Sequence, residues 1–176
     1  MPKLLQIAQL GHPVLRQKAK AVKNINDAQI QNLIDDMIAT VKDINGMGLA
    51  TPQVYESHRI FIMASHPSPR YPNAPEMEPT AIINPKIISH SRGTVKEWEG
   101  CLSVPGIRGL VPRYKTVTAR YSARNGKTEK REFSDLVACI FQHEYDHLDG
   151  LVYLDRLEST KDIITDKEFQ RLISKK

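Results

Sequence analysis

The run Gln142-His143-Glu144-Tyr145-Asp146-His147-Leu148-Asp149-Gly150 decides how this chain folds and what chemistry it carries. His143 and His147 stand four residues apart, so on an α-helix they fall one turn apart on the same face. Both imidazoles can then reach one metal ion, and Glu144 beside them can take a proton from water activated there. Leu136 and Ile140 extend the same stripe toward the N-terminus. The histidines therefore prolong an apolar face that points into the protein. Ser134 and Asp135 can cap this helix and Gly150 can end it.

The rest of the chain supplies the cover for that face. Asn26 and Asp27 precede Ile30, Leu33, Ile34, Met37, Ile38 and Val41, which recur at helical spacing up to a stop at Asn45-Gly46. Residues 59–64 read as a strand. Residues 66–79 hold five prolines and read as a loop, after which strand-like runs resume at 81–83, 86–89, 94–98 and 115–121. The last of these turns back through Asn125-Gly126 into a partner at 128–133. A final helix is expected from Thr160 to about Ile173. Strands gathered around one buried helix give an α+β fold. Antiparallel or mixed sheets should pack around the motif helix, with an N-terminal and a C-terminal helix, in a single domain over residues 1–176.

Composition narrows the function classes. Hydrophobic residues make up 40% and charged residues 26%, the range of ordinary globular domains. The net charge of +5 comes from scattered lysines and arginines without the dense, aromatic-lined patch of a dedicated nucleic-acid binder. Specific DNA recognition is not expected, while loose contact with an RNA-rich surface stays open. No stretch approaches the ~18 apolar residues of a membrane span, and the N-terminus shows no cleavage site. Two cysteines, Cys101 and Cys139, are too few for a disulfide framework. The expected setting is the reducing cytoplasm, where a thiol can serve as a metal ligand.

Catalytic metal sites usually have three protein ligands and one open position, so the two histidines need a partner. A metzincin would place a third histidine where Tyr153 stands. Glu158 and Glu168 lie in polar runs that do not suggest a buried site. His12, His58, His66 and His90 are flanked by turn-formers or polar residues and read as surface histidines. Cys101 is the better candidate, since it follows Gly100 where a strand gives way to a tight turn, and a thiolate binds divalent metals firmly. Cys139, inside Leu136-Val137-Ala138-Cys139-Ile140-Phe141, reads as a small buried hydrophobe. A third segment, Gly46-Met47-Gly48-Leu49-Ala50-Thr51-Pro52-Gln53, lacks the spacing of a phosphate or dinucleotide loop. Its small residues and Gln53 could line a narrow cleft and offer an amide to an oxyanion.

Taken together, the three segments resemble the peptide deformylases. That family's first motif is present from Gly46 to Gln53, with Thr51 replacing an alanine. The second, Glu99-Gly100-Cys101-Leu102-Ser103, and the third, residues 142–150, are complete and in the family's order. The resemblance implies a hydrolase that removes the formyl group from the N-terminal methionine of nascent proteins and releases formate. It implies one divalent metal on Cys101, His143 and His147, usually iron(II), with zinc, nickel or cobalt able to substitute. It implies Glu144 as general acid/base, and Gln53 with the backbone N–H of Leu102 as oxyanion donors. By the same analogy Gly46, Met47, Gly48 and Gly100 line a tight approach, and Leu136, Cys139 and His143 border the methionine pocket. Glu99 and Asp146 are expected either to orient ligands or an arginine such as Arg113, or to form ordinary local salt bridges. A monomer is implied, and the tail Phe169–Lys176 either docks near the ribosomal exit or ends as a solvated helix.

Three rival readings remain distinguishable. A general metalloprotease would not need Cys101, a thiol hydrolase would use Cys101 as nucleophile without metal, and a structural site supporting RNA or ribosome binding would not need Glu144.

Overall fold

A computed structural model describes residues 1–69 and 71–174. The first helix, α1 (Ala28–Asp43), is capped by the Asp27 carboxylate, which accepts from the Gln29 N–H at 2.8 Å. It leads through Asn45, whose φ is 51°, into β1 (Gly48–Ala50), a 3₁₀ turn at Thr51–Val54, and β2 (Ile60–Ser65). Next come β3 (Met77–His90), β4 (Thr94–Cys101), β5 (Val104–Tyr114), β6 (Thr116–Ser122) and β7 (Thr128–Ser134). The motif helix α2 spans Asp135–Leu148, and the chain ends with β8 (Ile163–Thr165) and α3 (Asp166–Ile173).

Among the described residues the strands form two antiparallel sheets, one ordered β1-β2-β3-β6-β7 and one ordered β4-β5-β8. Every residue of β2 is buried, because the strand has a helix on each side. Phe61 and Met63 face α2 and pack with Phe141, Ala138 and Leu148. Ile60, Ile62 and Ala64 face the other way and meet Ile30, Ile34, Met37 and Val41 of α1. This two-sided burial explains why β2 is an unbroken apolar run rather than an alternating one. Each large side chain here, such as Phe61 or Phe141, contributes about 1.5–3 kcal/mol by leaving water. The second sheet closes over α2 from the β5 side, with Val104, Val111, Val152 and Tyr153 forming a smaller core beside Cys101. The architecture is the expected α+β one, with the motif helix in the middle.

Several boundaries differ from expectation. The runs at 81–83 and 86–89 belong to one fourteen-residue strand, β3, which tolerates Pro79 and Pro85 by an irregularity around Asn84, held at φ 50°. Strand β5 carries Pro105, Gly106, Gly109 and Pro112 and therefore lacks a strand signal, yet it pairs with both β4 and β8. The C-terminal helix begins at Asp166 rather than Thr160, because Ile163–Thr165 pair with Ile107–Gly109. Ser134 does flank α2, but its hydroxyl makes no capping bond, and Asp135 takes φ 52°.

The exit of α2 follows the Gly150 expectation. Gly150 lies at φ 77°, its N–H donates to the His147 carbonyl, and the Leu151 N–H donates to the Asp146 carbonyl at 3.0 Å. This is a Schellman closure on Asp146 and His147. A Cβ on Gly150 would stand 2.8 Å from the Arg16 backbone carbonyl. Gly150→Ala is therefore expected to lower stability by about 2 kcal/mol or more, through the left-handed φ and the backbone overlap together. Urea unfolding reads this directly, and an unchanged midpoint would contradict it.

Candidate active site

Helix α2 presents His143 and His147 with ring centroids 5.1 Å apart. Cys101, the last residue of β4, places its Sγ 3.3 Å from Nε2 of His147. One ligand atom from each of Cys101, His143 and His147 lies within 4.8 Å of the others, close enough to share one ion. A register shift between Glu99 and Cys101 aims the strand end at the helix. Glu99, two residues before the cysteine, takes Nδ1 of His143 at 2.7 Å and leaves Nε2 turned to the thiol. Fixing one ring nitrogen in this way sets the tautomer that offers the other as a ligand.

Behind these three side chains runs a chain of buried charge. The Arg113 guanidinium, from β5, donates to both Glu99 oxygens at 2.6 and 3.0 Å and to Asp146 Oδ2 at 2.7 Å. Arg156 completes Asp146 from the solvent side at 2.6 and 3.1 Å. Burial alone would raise the Glu99 pKa, but the bond to His143 and the Arg113 charge override it and hold it at about 2. Asp146 is likewise held down, its burial outweighed by Arg156 and Arg113. Burial also opposes ionisation of Cys101, yet His147 and His143 pull its pKa well below the usual thiol value. His143 moves up despite burial, because the Cys101 and Glu99 anions flank it. The site thus assembles a thiolate and two imidazoles around a point where positive charge is favoured, and this donor set fits a divalent cation. Cys139 differs: burial and the Glu99 carboxylate push its thiol well up, so it stays protonated and donates to Glu99 at 3.3 Å.

Glu144 lies on the same helix face and is buried, with no hydrogen-bond partner for its Oε2. Burial pushes its pKa up to about 7, against the smaller lowering effect of the two histidines. A buried carboxyl poised there can accept and return a proton near neutrality. Gly48 makes room for it, since a Cβ at that position would stand 2.7 Å from the Glu144 carboxyl carbon. Gln53 is 2% exposed and fixed in orientation. Its Oε1 accepts from the Ala50 N–H at 2.9 Å, which turns Nε2 toward Cys101 Sγ at 3.5 Å and Ser103 Oγ at 3.3 Å. Thr51, the departure from the family pattern, is buried and bonds the His58 carbonyl, so its hydroxyl is satisfied without entering the cleft.

These groups open on a cleft of about 510 Å³. Gly46, Met47, Gly48 and Gln53 form one wall, Gly100, Cys101 and Leu102 another, and Leu136, Cys139, His143 and Glu144 a third. His147 sits behind this lining, 1% exposed. Glu158 and Glu168 lie elsewhere, paired with Lys96 and Arg171. Of the four histidines expected on the surface, His66 instead lines the cleft. Sequence reading also missed Arg108, whose guanidinium covers Gly100 while Nε donates to Asp166 at 2.6 Å. Both are brought in by chain reversals that no local pattern announces.

Known proteins resemble this chain in both sequence and fold. The sequence profile of Polypeptide deformylase matches residues 4–162. Peptide deformylase 2 of Nostoc sp. strain PCC 7120 is 60% identical over 174 residues, covering 99% of this chain and 97% of the relative. A Met-Ala-Ser-bound class I type b peptide deformylase from Acinetobacter baumannii superposes with a TM-score of 0.86 at 40% identity, covering 89% of this chain and all of that one. An actinonin complex of a Synechococcus elongatus peptide deformylase gives 0.79 at 34% identity, covering 90% and 81%. With a match across most of its length, the chain belongs to the polypeptide deformylase family, metal-dependent hydrolases that remove the formyl group from the N-terminus of nascent peptides.

Proposed function

We propose that Cys101, His143 and His147 hold the metal of this deformylase, and that Glu144 moves the protons of the reaction. The observation that carries this reading is the buried Glu144 carboxylate, with Oε2 unpartnered, beside three ligand atoms within 4.8 Å of one another. When bound, the ion supplies a Lewis acid that activates water and polarises the formyl carbonyl. Glu144 Oε2 takes the proton as the water oxygen attacks the formyl carbon. The formyl oxygen, gaining charge, is met by Gln53 Nε2, whose orientation the Ala50 N–H fixes before the substrate arrives, and by the Leu102 N–H. Glu144 then returns the proton to the amide nitrogen as its bond to carbon breaks, leaving formate and a free amine.

Substrate enters between Gly46, Met47 and Gly48 on one wall and Gly100 on the other, a narrow approach that admits a formyl group and excludes bulkier acyl groups. The methionine side chain lies against Leu136 and Cys139, whose thiol stays neutral and apolar beside it. The peptide named in the Acinetobacter structure, Met-Ala-Ser, begins with methionine and supports N-formyl-methionyl peptides as substrates here. Iron(II) is the ion we assign in the cell, although a thiolate with two imidazoles also accepts zinc, nickel or cobalt. The chain acts as a monomer of one domain over residues 1–176, in the cytoplasm, with transient ribosome contact. No helix among the described residues is long and apolar enough to cross a membrane. Of the tail considered for that contact, Lys175 and Lys176 lie outside the described residues.

Anaerobic purification, metal analysis and a formate-release assay on formyl-Met-Ala-Ser test this reading together. Formate release should stop on chelation and return with iron(II). Activity that survives complete metal removal would favour Cys101 as a nucleophile, and a fully loaded protein that releases no formate would overturn the assignment.

A further inference from the structure

The segment ahead of α1 touches the site where no motif marks it. Ala8 is fully buried and donates its backbone N–H to the Gln53 carbonyl at 2.7 Å. Two residues on, Leu10 donates to the Ser103 carbonyl, also at 2.7 Å. Between them Gln9 turns its side-chain amide to the Leu102 carbonyl at 3.2 Å and the Ile7 carbonyl at 3.3 Å. Three consecutive residues therefore tie the turn at 51–54 to the turn at 101–103. From the inside, Gln53 Nε2 joins the same two turns through Ser103 Oγ. The bonds from Ala8, Gln9 and Leu10 all end on carbonyl oxygens, so the strap does not compete for the N–H groups of the turns it joins.

We propose that Ala8–Leu10 is a positioning strap that sets the separation of the two oxyanion donors, with Gln9 the side chain that orients Leu102. The proposal rests on the assignment of Gln53 Nε2 and the Leu102 N–H given above. Such donors work only within 2.7–3.1 Å of the developing oxyanion, so a drift of a few tenths of an ångström weakens the transition state. Gln53 is locked by burial and by Ala50. Leu102 stands in a two-residue turn beyond the last β4–β5 pair, Cys101 with Val104, and its side chain is 38% exposed. That turn gains an outside brace from Gln9 and Leu10. A strap of this kind acts on the reacting geometry and leaves peptide binding and the metal ligands untouched.

Steady-state formate release by the metal-loaded full chain, with formyl-Met-Ala-Ser as probe, separates the outcomes. Gln9→Met keeps length and loses both donors. Its kcat should fall about three- to tenfold, the worth of one hydrogen bond, with KM within about twofold. Metal stoichiometry and the urea midpoint should match the wild type. Leu10→Pro removes the N–H to Ser103 and should lower kcat further; if it does not fold, Gln9→Met decides alone. Wild-type kcat in Gln9→Met, or a loss that appears in KM, metal content or unfolding instead, would overturn the strap. Gln53→Leu is the reference, expected to lose about 100-fold in kcat. Full activity there would remove the oxyanion assignment itself, a result separate from failure of the strap.

Discussion

Glu144→Gln should yield a protein that keeps its metal and releases formate about 1,000-fold more slowly. Glutamine preserves the shape of the side chain beside Gly48 but has no oxygen that can accept and return a proton. The expected loss falls on kcat, because the proton moves only as bonds change. The same substitution carries a second, opposite effect. In the metal-stripped protein burial raises the Glu144 pKa from 4.5 to about 7. The folded state thus holds its proton more tightly than the unfolded chain. The stability this gives is complete below about pH 4.5 and is lost as pH rises through about 7. Glutamine carries no such slope. At pH 8 the metal-stripped variant should therefore be more stable than the wild type, by about 3 kcal/mol, with the two converging near pH 4. Urea unfolding of the chelated proteins at both pH values checks this. Equal stability at pH 8 would show that the carboxylate is solvated.

Arg113→Leu should be the most destabilising single change outside the apolar core. Its guanidinium is 4% exposed and serves two carboxylates, Glu99 and Asp146, each equally buried. Removing one partner of such a network typically costs about 3–5 kcal/mol, because the remaining charges cannot reach water. For a chain of this size that corresponds to a fall of about 10 °C in the unfolding temperature. The pH dependence has a definite sign. Glu99 is held at about 2, below its ordinary 4.5, so the stability it gives is present above about pH 4.5 and lost as pH falls toward 2. The gap between variant and wild type should narrow over that window, since a protonated Glu99 needs no guanidinium. Metal affinity should also drop by about 10- to 100-fold, because Glu99 no longer holds His143 in one orientation. Thermal unfolding from pH 7 to pH 3 and a competition assay for zinc measure both effects. An unchanged unfolding temperature at pH 7 would contradict the network's role.

The proposed ligands could be picked out in sequence because the spacing of the two histidines is local. His143, Glu144 and His147 share a helix face by arithmetic alone, and Gly100-Cys101 announces a turn. The helices α1 and α2 and the hairpin at Asn125-Gly126 followed from periodicity and turn residues in the same way, and β2 from its apolar run, though not its burial on both faces. What escaped was set by contacts distant in the chain. Strand β5 contains two prolines and two glycines, and only its place between β4 and β8 makes it a strand. Ile163–Thr165 resembles the start of a helix until β5 claims it. His66 and Arg108 reach the cleft through chain reversals, and the strap at Ala8–Leu10 has no pattern of its own. Asn84 and Asp135 hold positive φ in positions where composition suggests ordinary backbone.

The shift in register between Glu99 and Cys101 makes two parts of the proposed site depend on one strand alignment. One strand end delivers both the carboxylate that steadies His143 and the sulfur that completes the ligand set. Helix α2 can form early from neighbouring residues, but two imidazoles on an isolated helix are free to turn and grip an ion weakly. Only when β4 docks in its final alignment do the steadying group and the third ligand arrive, in one event. A misaligned strand would forfeit both together. On the proposed ligand set, an ion that needs all three atoms can be held tightly only by a chain whose β4 has reached this register.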